Sequence, residues 1–132
     1  NRLRFCNAGH PYPLLIAPDG TVSFFKTADN LPLGVTSDYE YEEQECYFAP
    51  GSQLLFYTDG VSEAQNEQSK FYKIDRLFNL VVSHSQLAPR QMVDKVVGDV
   101  KRFVGKAEQS DDLTVMSFRL NPRGKKKIEG LL

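Results

Sequence analysis

The chain has 132 residues, of which 41% are apolar and 25% charged, a globular composition of the size of one domain. With 16 Lys and Arg against 17 Asp and Glu it is nearly neutral, which excludes the basic footprint of a nucleic-acid binder. No apolar stretch approaches the length of a membrane span, and no signal peptide appears.

The first half is strand-rich. Leu3 and Phe5 alternate with Arg2 and Arg4, which predicts a half-buried strand over Leu3–Asn7. The loop Asn7-Ala-Gly-His-Pro-Tyr-Pro follows, and strands are predicted at Leu14–Ala17 and Val22–Phe25 around the Pro18-Asp-Gly20 turn. After a second loop over Asp29–Gly34, the mixed aromatic and acidic run Tyr39–Phe48 reads as a strand with one exposed face. Gln53–Tyr57 is a dense β-prone run and reads as a buried strand. The period then changes. Ile74, Leu77, Phe78 and Val81 recur at helical spacing, predicting a helix over Ile74–His84. A second helix is predicted over Pro89–Val104, with Pro89 in its first turn and Gly105 at its end. Leu113–Leu120 reads as a closing strand. Strands first and helices later indicate an α+β fold. The basic run Arg123, Lys125, Lys126 and Lys127 reads as a solvated tail over 121–132, leaving a domain over 1–120. Cys6 and Cys46 form no C-x-x-C pair, which argues against zinc; both are expected as buried thiols. The chain opens without Met in a strand-like pattern and reads as a piece of a longer protein.

Carboxylates at strand ends are the first candidates for chemistry. Asp59 directly follows the Gln53–Tyr57 strand and Thr58, and Gly60 lets the backbone turn away. Asp111 and Asp112 precede the closing strand. Adjacent carboxylates repel unless a cation compensates, and hard divalent cations take such oxygens. Spacing alone leaves an alternative open: Asp59 caps a helix, and Asp111 or Asp112 shapes a turn. There is no G-x-S-x-G elbow and no phosphate-binding P-loop. Of the two histidines, His84 falls on a helix face. His10 lies in a loop that Asn7 and the prolines can fix.

Four motifs in order carry a resemblance: Asn7-Ala-Gly-His-Pro-Tyr-Pro, Leu33-Gly34, Tyr57-Thr-Asp-Gly-Val-Ser-Glu-Ala64 and Asp111-Asp-Leu-Thr-Val115. Together they resemble the PPM-type protein serine/threonine phosphatases, and within them the SpoIIE/RsbU-like bacterial branch. The resemblance implies a β-sandwich flanked by helices, with two Mn2+ or Mg2+ ions and a metal-bridging water that attacks phosphorus. By motif position Asp59 and Asp111 are implied as metal ligands and Asp112 as the residue that orients its neighbour; Asn7, His10 and Gly60 fall in the loops around the site. The implied substrate is a phosphorylated protein, such as an anti-sigma-factor antagonist, met in the cytoplasm, with a sensor or membrane segment upstream in the parent. The family's earlier Asp-bearing strands, which supply the bridging carboxylate, lie upstream of the Asn7 motif. The chain thus corresponds to the C-terminal portion of the domain, implied to be weak or inactive by itself and prone to self-association through uncovered sheet. A second departure is Lys73, where the family often has Gly; it is expected to affect a surface loop only. Two other readings stay open: a phosphatase-like regulatory module that has lost its chemistry, and an unrelated structural α+β domain.

Overall fold

The structure is a computed structural model that describes residues 1–108 and 111–121; most of the expected basic tail lies outside the described residues. The elements are β1 (Arg2–Phe5), β2 (Leu14–Ile16), β3 (Val22–Phe24), β4 (Gln44–Tyr47), β5 (Gln53–Tyr57), α1 (Asp59–Ser62), α2 (Ile74–Ser83), α3 (Pro89–Val104) and β6 (Val115–Arg119). They form an antiparallel sheet of order β3-β2-β5-β6 and a separate antiparallel ribbon of β1 and β4. The fold is α+β, as the change of period predicts.

Alternation assigns the two faces of β2 and β5. Leu14, Ile16, Leu55 and Tyr57 point to the helical side, where Leu77 and Val81 of α2 and Met92, Val96 and Val100 of α3 complete a buried core. On the opposite side Leu54 and Phe56 share an apolar cavity of about 400 Å³ with Leu3 and Phe5 of the ribbon. Phe118 joins this face, with Phe48 and Phe56 as ring neighbours. The two sheets therefore face one another as a sandwich, with the helices on one outer side. Phe118 and Met116 on β6 and Tyr47 on β4 remain exposed.

Two expectations are corrected. Only Gln44–Tyr47 of the Tyr39–Phe48 run is strand. The Tyr39 and Tyr41 hydroxyls turn back and donate to Asn30 Oδ1 and the Pro32 carbonyl, so this segment closes a loop instead of extending a ladder. The cysteines are free, but Cys6 is exposed just past β1 and Cys46 is half-buried on the two-stranded ribbon, which has no layer thick enough to bury it.

Lys73 is more than a loop residue. It precedes α2 with φ 67° and ψ 151°, a region that is essentially glycine's. Its amide donates to the Ser62 carbonyl at 2.8 Å, tying the start of α2 to α1. That geometry gives the reason for Gly at this position. Such strain costs about 1–3 kcal/mol, and glycine's extra chain entropy offsets about 0.5–1 kcal/mol of it. Lys73→Gly is expected to stabilise the protein by about 1 kcal/mol in urea unfolding; a lower midpoint would contradict the strain.

A charged cluster joins α2 to α3. Asp99 accepts from the Tyr72 hydroxyl at 2.8 Å, from Arg76 at 3.0 Å and from Arg102 at 3.3 Å. Arg76 also lies over the rings of Tyr72 and Phe103. Burial pushes the Asp99 carboxyl up, but the hydrogen bonds from Arg76, Tyr72 and Arg102 outweigh it and hold it below the ordinary range. A depressed folded pKa stabilises above the unfolded value, about 3.9 for Asp, and the benefit is lost as pH falls through the folded value. Asp99→Asn is therefore expected to cost about 1–3 kcal/mol near neutral pH. The gap to wild type should narrow as pH is lowered below 4. A gap that stays constant across that range would show that packing, not charge, holds the cluster.

Candidate metal centre

One end of the four-stranded sheet collects the residues singled out in the sequence. β5 ends there at Tyr57 and β6 begins there, with Tyr57 paired to Val115. β2 runs antiparallel to β5, Leu14 facing Leu55, so the loop before β2 passes the same end. The Tyr57 hydroxyl donates to the Tyr12 carbonyl at 3.1 Å and anchors that loop.

Asp59 is the first residue of α1, directly after the Thr58 cap. It is exposed, and its Oδ1 accepts from the Gly60 amide at 3.0 Å. Asp111 and Asp112 are also exposed, and Asp111 Oδ1 accepts from the Asp112 amide at 2.7 Å. The two acidic segments are locked together through the backbone. A Cβ added to buried Gly60 would stand 2.9 Å from the carbonyl carbon of Asp112 and closer still to its oxygen. Only glycine permits that approach.

Thr58 completes the joint. Its hydroxyl donates to the Asp112 carbonyl at 3.1 Å and accepts from the Thr114 amide at 3.1 Å. Its amide donates to the Thr114 carbonyl at 3.1 Å. Thr58 carries no role in the sequence reading. The signal for it is a hydroxyl placed between a buried strand and an acid at a helix start.

The Asn7–Pro13 loop is fixed by Asn7. Its side chain donates to the His10 carbonyl at 2.8 Å and to Thr27 Oγ1 at 2.7 Å, and accepts from the His10 amide at 2.7 Å. The His10 ring lies 5.8 Å from that of Phe56. The loop stands at the same end of the sheet as Asp59, but the hydrogen bonds of Asn7 and His10 run to each other and to Thr27 rather than to Asp59. His84 caps the end of α2, with Nδ1 against the Leu80 carbonyl at 2.9 Å, and takes no part here.

The arrangement brings together the segments of Asp59, Gly60, Asp111 and Asp112, with the Asn7–Pro13 loop at the same end of the sheet. Carboxylate oxygens are the donors that hard divalent cations prefer, so the donor chemistry fits magnesium or manganese. The number of donors does not complete a centre: among the described residues no group of three or more His, Cys, Asp or Glu converges on one point.

The sequence model of the family "Stage II sporulation protein E (SpoIIE)" matches residues 1–121. The chain is 22% identical over 119 residues to phosphoserine phosphatase RsbU of Bacillus subtilis, covering 90% of this chain and 35% of that protein. It is 23% identical to protein IcfG of Synechocystis, covering 90% of this chain and 18% of the relative. It thus spans about a third or less of these relatives. Among solved structures it resembles the SiaA PP2C domain of Pseudomonas aeruginosa, with TM-score 0.70, 24% identity, and 91% and 46% of the two chains covered. It also resembles the PP2C domain of SpoIIE from Bacillus subtilis, with TM-score 0.67, 21% identity, and 89% and 34% covered. The chain belongs to the SpoIIE family, and its fold is that of the PP2C-type phosphatase domains.

Proposed function

We propose that this chain is the C-terminal portion of a metal-dependent phosphoserine/phosphothreonine protein phosphatase domain, with Asp59 and Asp111 as two carboxylate arms of a manganese or magnesium site. The observation that carries the reading is the joint at Gly60, Thr58 and Asp112, which sets two exposed acids on adjoining backbone segments at one sheet end. Such ions, when bound, supply a water nucleophile at neutral pH and neutralise charge on the phosphoryl oxygens.

The chain's own residues orient. Gly60 and Thr58 fix the spacing of the arms. The Asp112 amide holds Asp111 Oδ1 in one rotamer, which positions a ligand without contacting the ion. Asn7 keeps the His10 loop rigid at the rim. The net reaction is hydrolysis: water adds to phosphorus, the bond to the seryl or threonyl oxygen breaks, and that oxygen takes a proton. A phosphorylated anti-sigma-factor antagonist is the proposed substrate, supported by the relative named phosphoserine phosphatase RsbU. The proposed compartment is the cytoplasm; no helix among the described residues is long and apolar enough to cross a membrane.

Two arms hold an ion weakly. The 132-residue chain alone is therefore expected to release little phosphate from p-nitrophenyl phosphate with manganese, while the complete domain turns over. A complete domain that is folded and metal-loaded, yet inactive on both this compound and phosphoserine proteins, would make the chain part of a regulatory module. The exposed Met116 and Phe118 on the β6 edge also support self-association of the chain. Light scattering that shows a monomer at all concentrations would contradict that.

A further inference from the structure

The loop between β3 and β4 is neither strand nor slack. Asn30 organises it: Oδ1 accepts from the Tyr39 hydroxyl at 3.3 Å and from the Glu42 amide at 3.1 Å. The Tyr41 hydroxyl closes onto the Pro32 carbonyl at 3.2 Å, and the Tyr39 and Tyr41 rings pack edge to face with centroids 4.9 Å apart. These bonds commit three polar side chains, Asn30, Tyr39 and Tyr41, to holding a short turn.

What that turn presents is apolar. Leu33 is 77% exposed and Val35 62%, with Leu31 at 40%. A folded chain gains nothing by fixing bare aliphatic side chains in water, and ordered apolar clusters of this kind mark contact sites. Asp38, Glu40 and Glu42 lie beside the tip, all exposed, and none forms an ion pair among the described residues. The nearest acids toward the ribbon differ, since Glu43 and Glu45 are paired with Arg4 and Arg2.

The turn is also bound to the rim of the candidate centre. Gly9 lies against Pro32 so closely that a Cβ there would stand 2.6 Å from Pro32 Cγ. The Tyr12 hydroxyl donates to Asp29 Oδ1 at 2.5 Å. The tip and the His10 loop are therefore tied to each other at two points.

We infer that residues 29–43 form a docking lobe for the polypeptide flanking the phosphorylated residue, and that the lobe takes flanks combining apolar with basic side chains. The aliphatic tip buries against the apolar residues, and the unpaired acids meet Lys or Arg, in the manner of complementary charge around an apolar centre. Calling the peptide a substrate rests on the phosphatase reading; the docking itself does not, because it can be read as binding.

The test uses the full chain and two fluorescein-labelled phosphoserine peptides of equal length. One carries Leu and Lys around the phosphoserine, the other Ser and Glu. Anisotropy at low salt should show the first binding at least about tenfold more tightly, the scale of one buried aliphatic side chain. Leu33→Ser with Val35→Ser should weaken the first peptide and leave the second unchanged. Glu40→Gln with Glu42→Gln should shrink the preference and its salt dependence. Equal binding, no binding of either peptide, or a preference that survives both double substitutions would overturn the lobe. Phosphate release by the complete domain is scored separately. Discrimination without turnover would sink the phosphatase reading alone, and turnover without discrimination would sink the lobe alone.

Discussion

Asp59→Asn in the complete domain is expected to lower manganese-dependent phosphate release by at least about 10²–10³-fold, the loss seen when one preorganised electrostatic group is removed. Asn keeps the shape and an oxygen that can accept from the Gly60 amide. It removes the charge that attracts the ion. Asp59 is exposed and makes no ion pair among the described residues, so the unfolding midpoint should move little. Asp111→Asn should lower phosphate release by a similar factor. Full activity of either variant would remove that residue from the site. Loss of activity together with loss of folding would show a structural role instead.

Gly60→Ala should do damage by a different route. The added methyl meets backbone, the Asp112 carbonyl, and not the flexible end of a side chain. It cannot be accommodated by a rotamer change, so the β5–α1 corner and the segment before β6 must separate. Overpacking of this kind costs about 1–3 kcal/mol. The functional cost should be larger, since a displacement of about 1 Å in a positioned group can lower rate by about 10²-fold. The variant is therefore expected to fold with a lower midpoint and to lose most turnover in the complete domain. An Asp112→Ala variant keeps the same backbone carbonyl and should retain the joint, which separates the backbone contact from the Asp112 side chain. Unchanged midpoint and activity in Gly60→Ala would mean that the close approach does not organise the site.

Much of this was legible in residue order. Gln53–Tyr57 and Pro89–Val104 were readable to their ends, because a dense β-prone run and an apolar stripe bounded by Pro89 and Gly105 each admit one solution. Tyr39–Glu43 misled, since alternating Tyr and Glu imitates a strand when the tyrosine hydroxyls are in fact committed to Asn30 and Pro32, each nine residues back along the chain. Lys73 shows the same limit. Its sequence neighbours give no warning of positive φ, which arises because its amide must reach Ser62. At the site, the acids could be nominated one by one. Their joining through Thr58 and Gly60 is a three-dimensional fact that no spacing encodes. Cys6 and Cys46 erred for a related reason: burial was inferred from strand-like surroundings, and a two-stranded ribbon covers little.

The account turns on whether Asp59 and Asp111 serve one ion, and manganese itself can report that. The paramagnetic ion broadens amide signals close to where it binds. Titrated into the isotope-labelled chain, it should fade the Gly60 and Asp112 amides together, before all others, and Asp59→Asn should abolish the selective fading of both. Early broadening at Glu40 and Glu42 with Gly60 and Asp112 left sharp, or fading at Asp112 that persists in Asp59→Asn, would contradict a shared site.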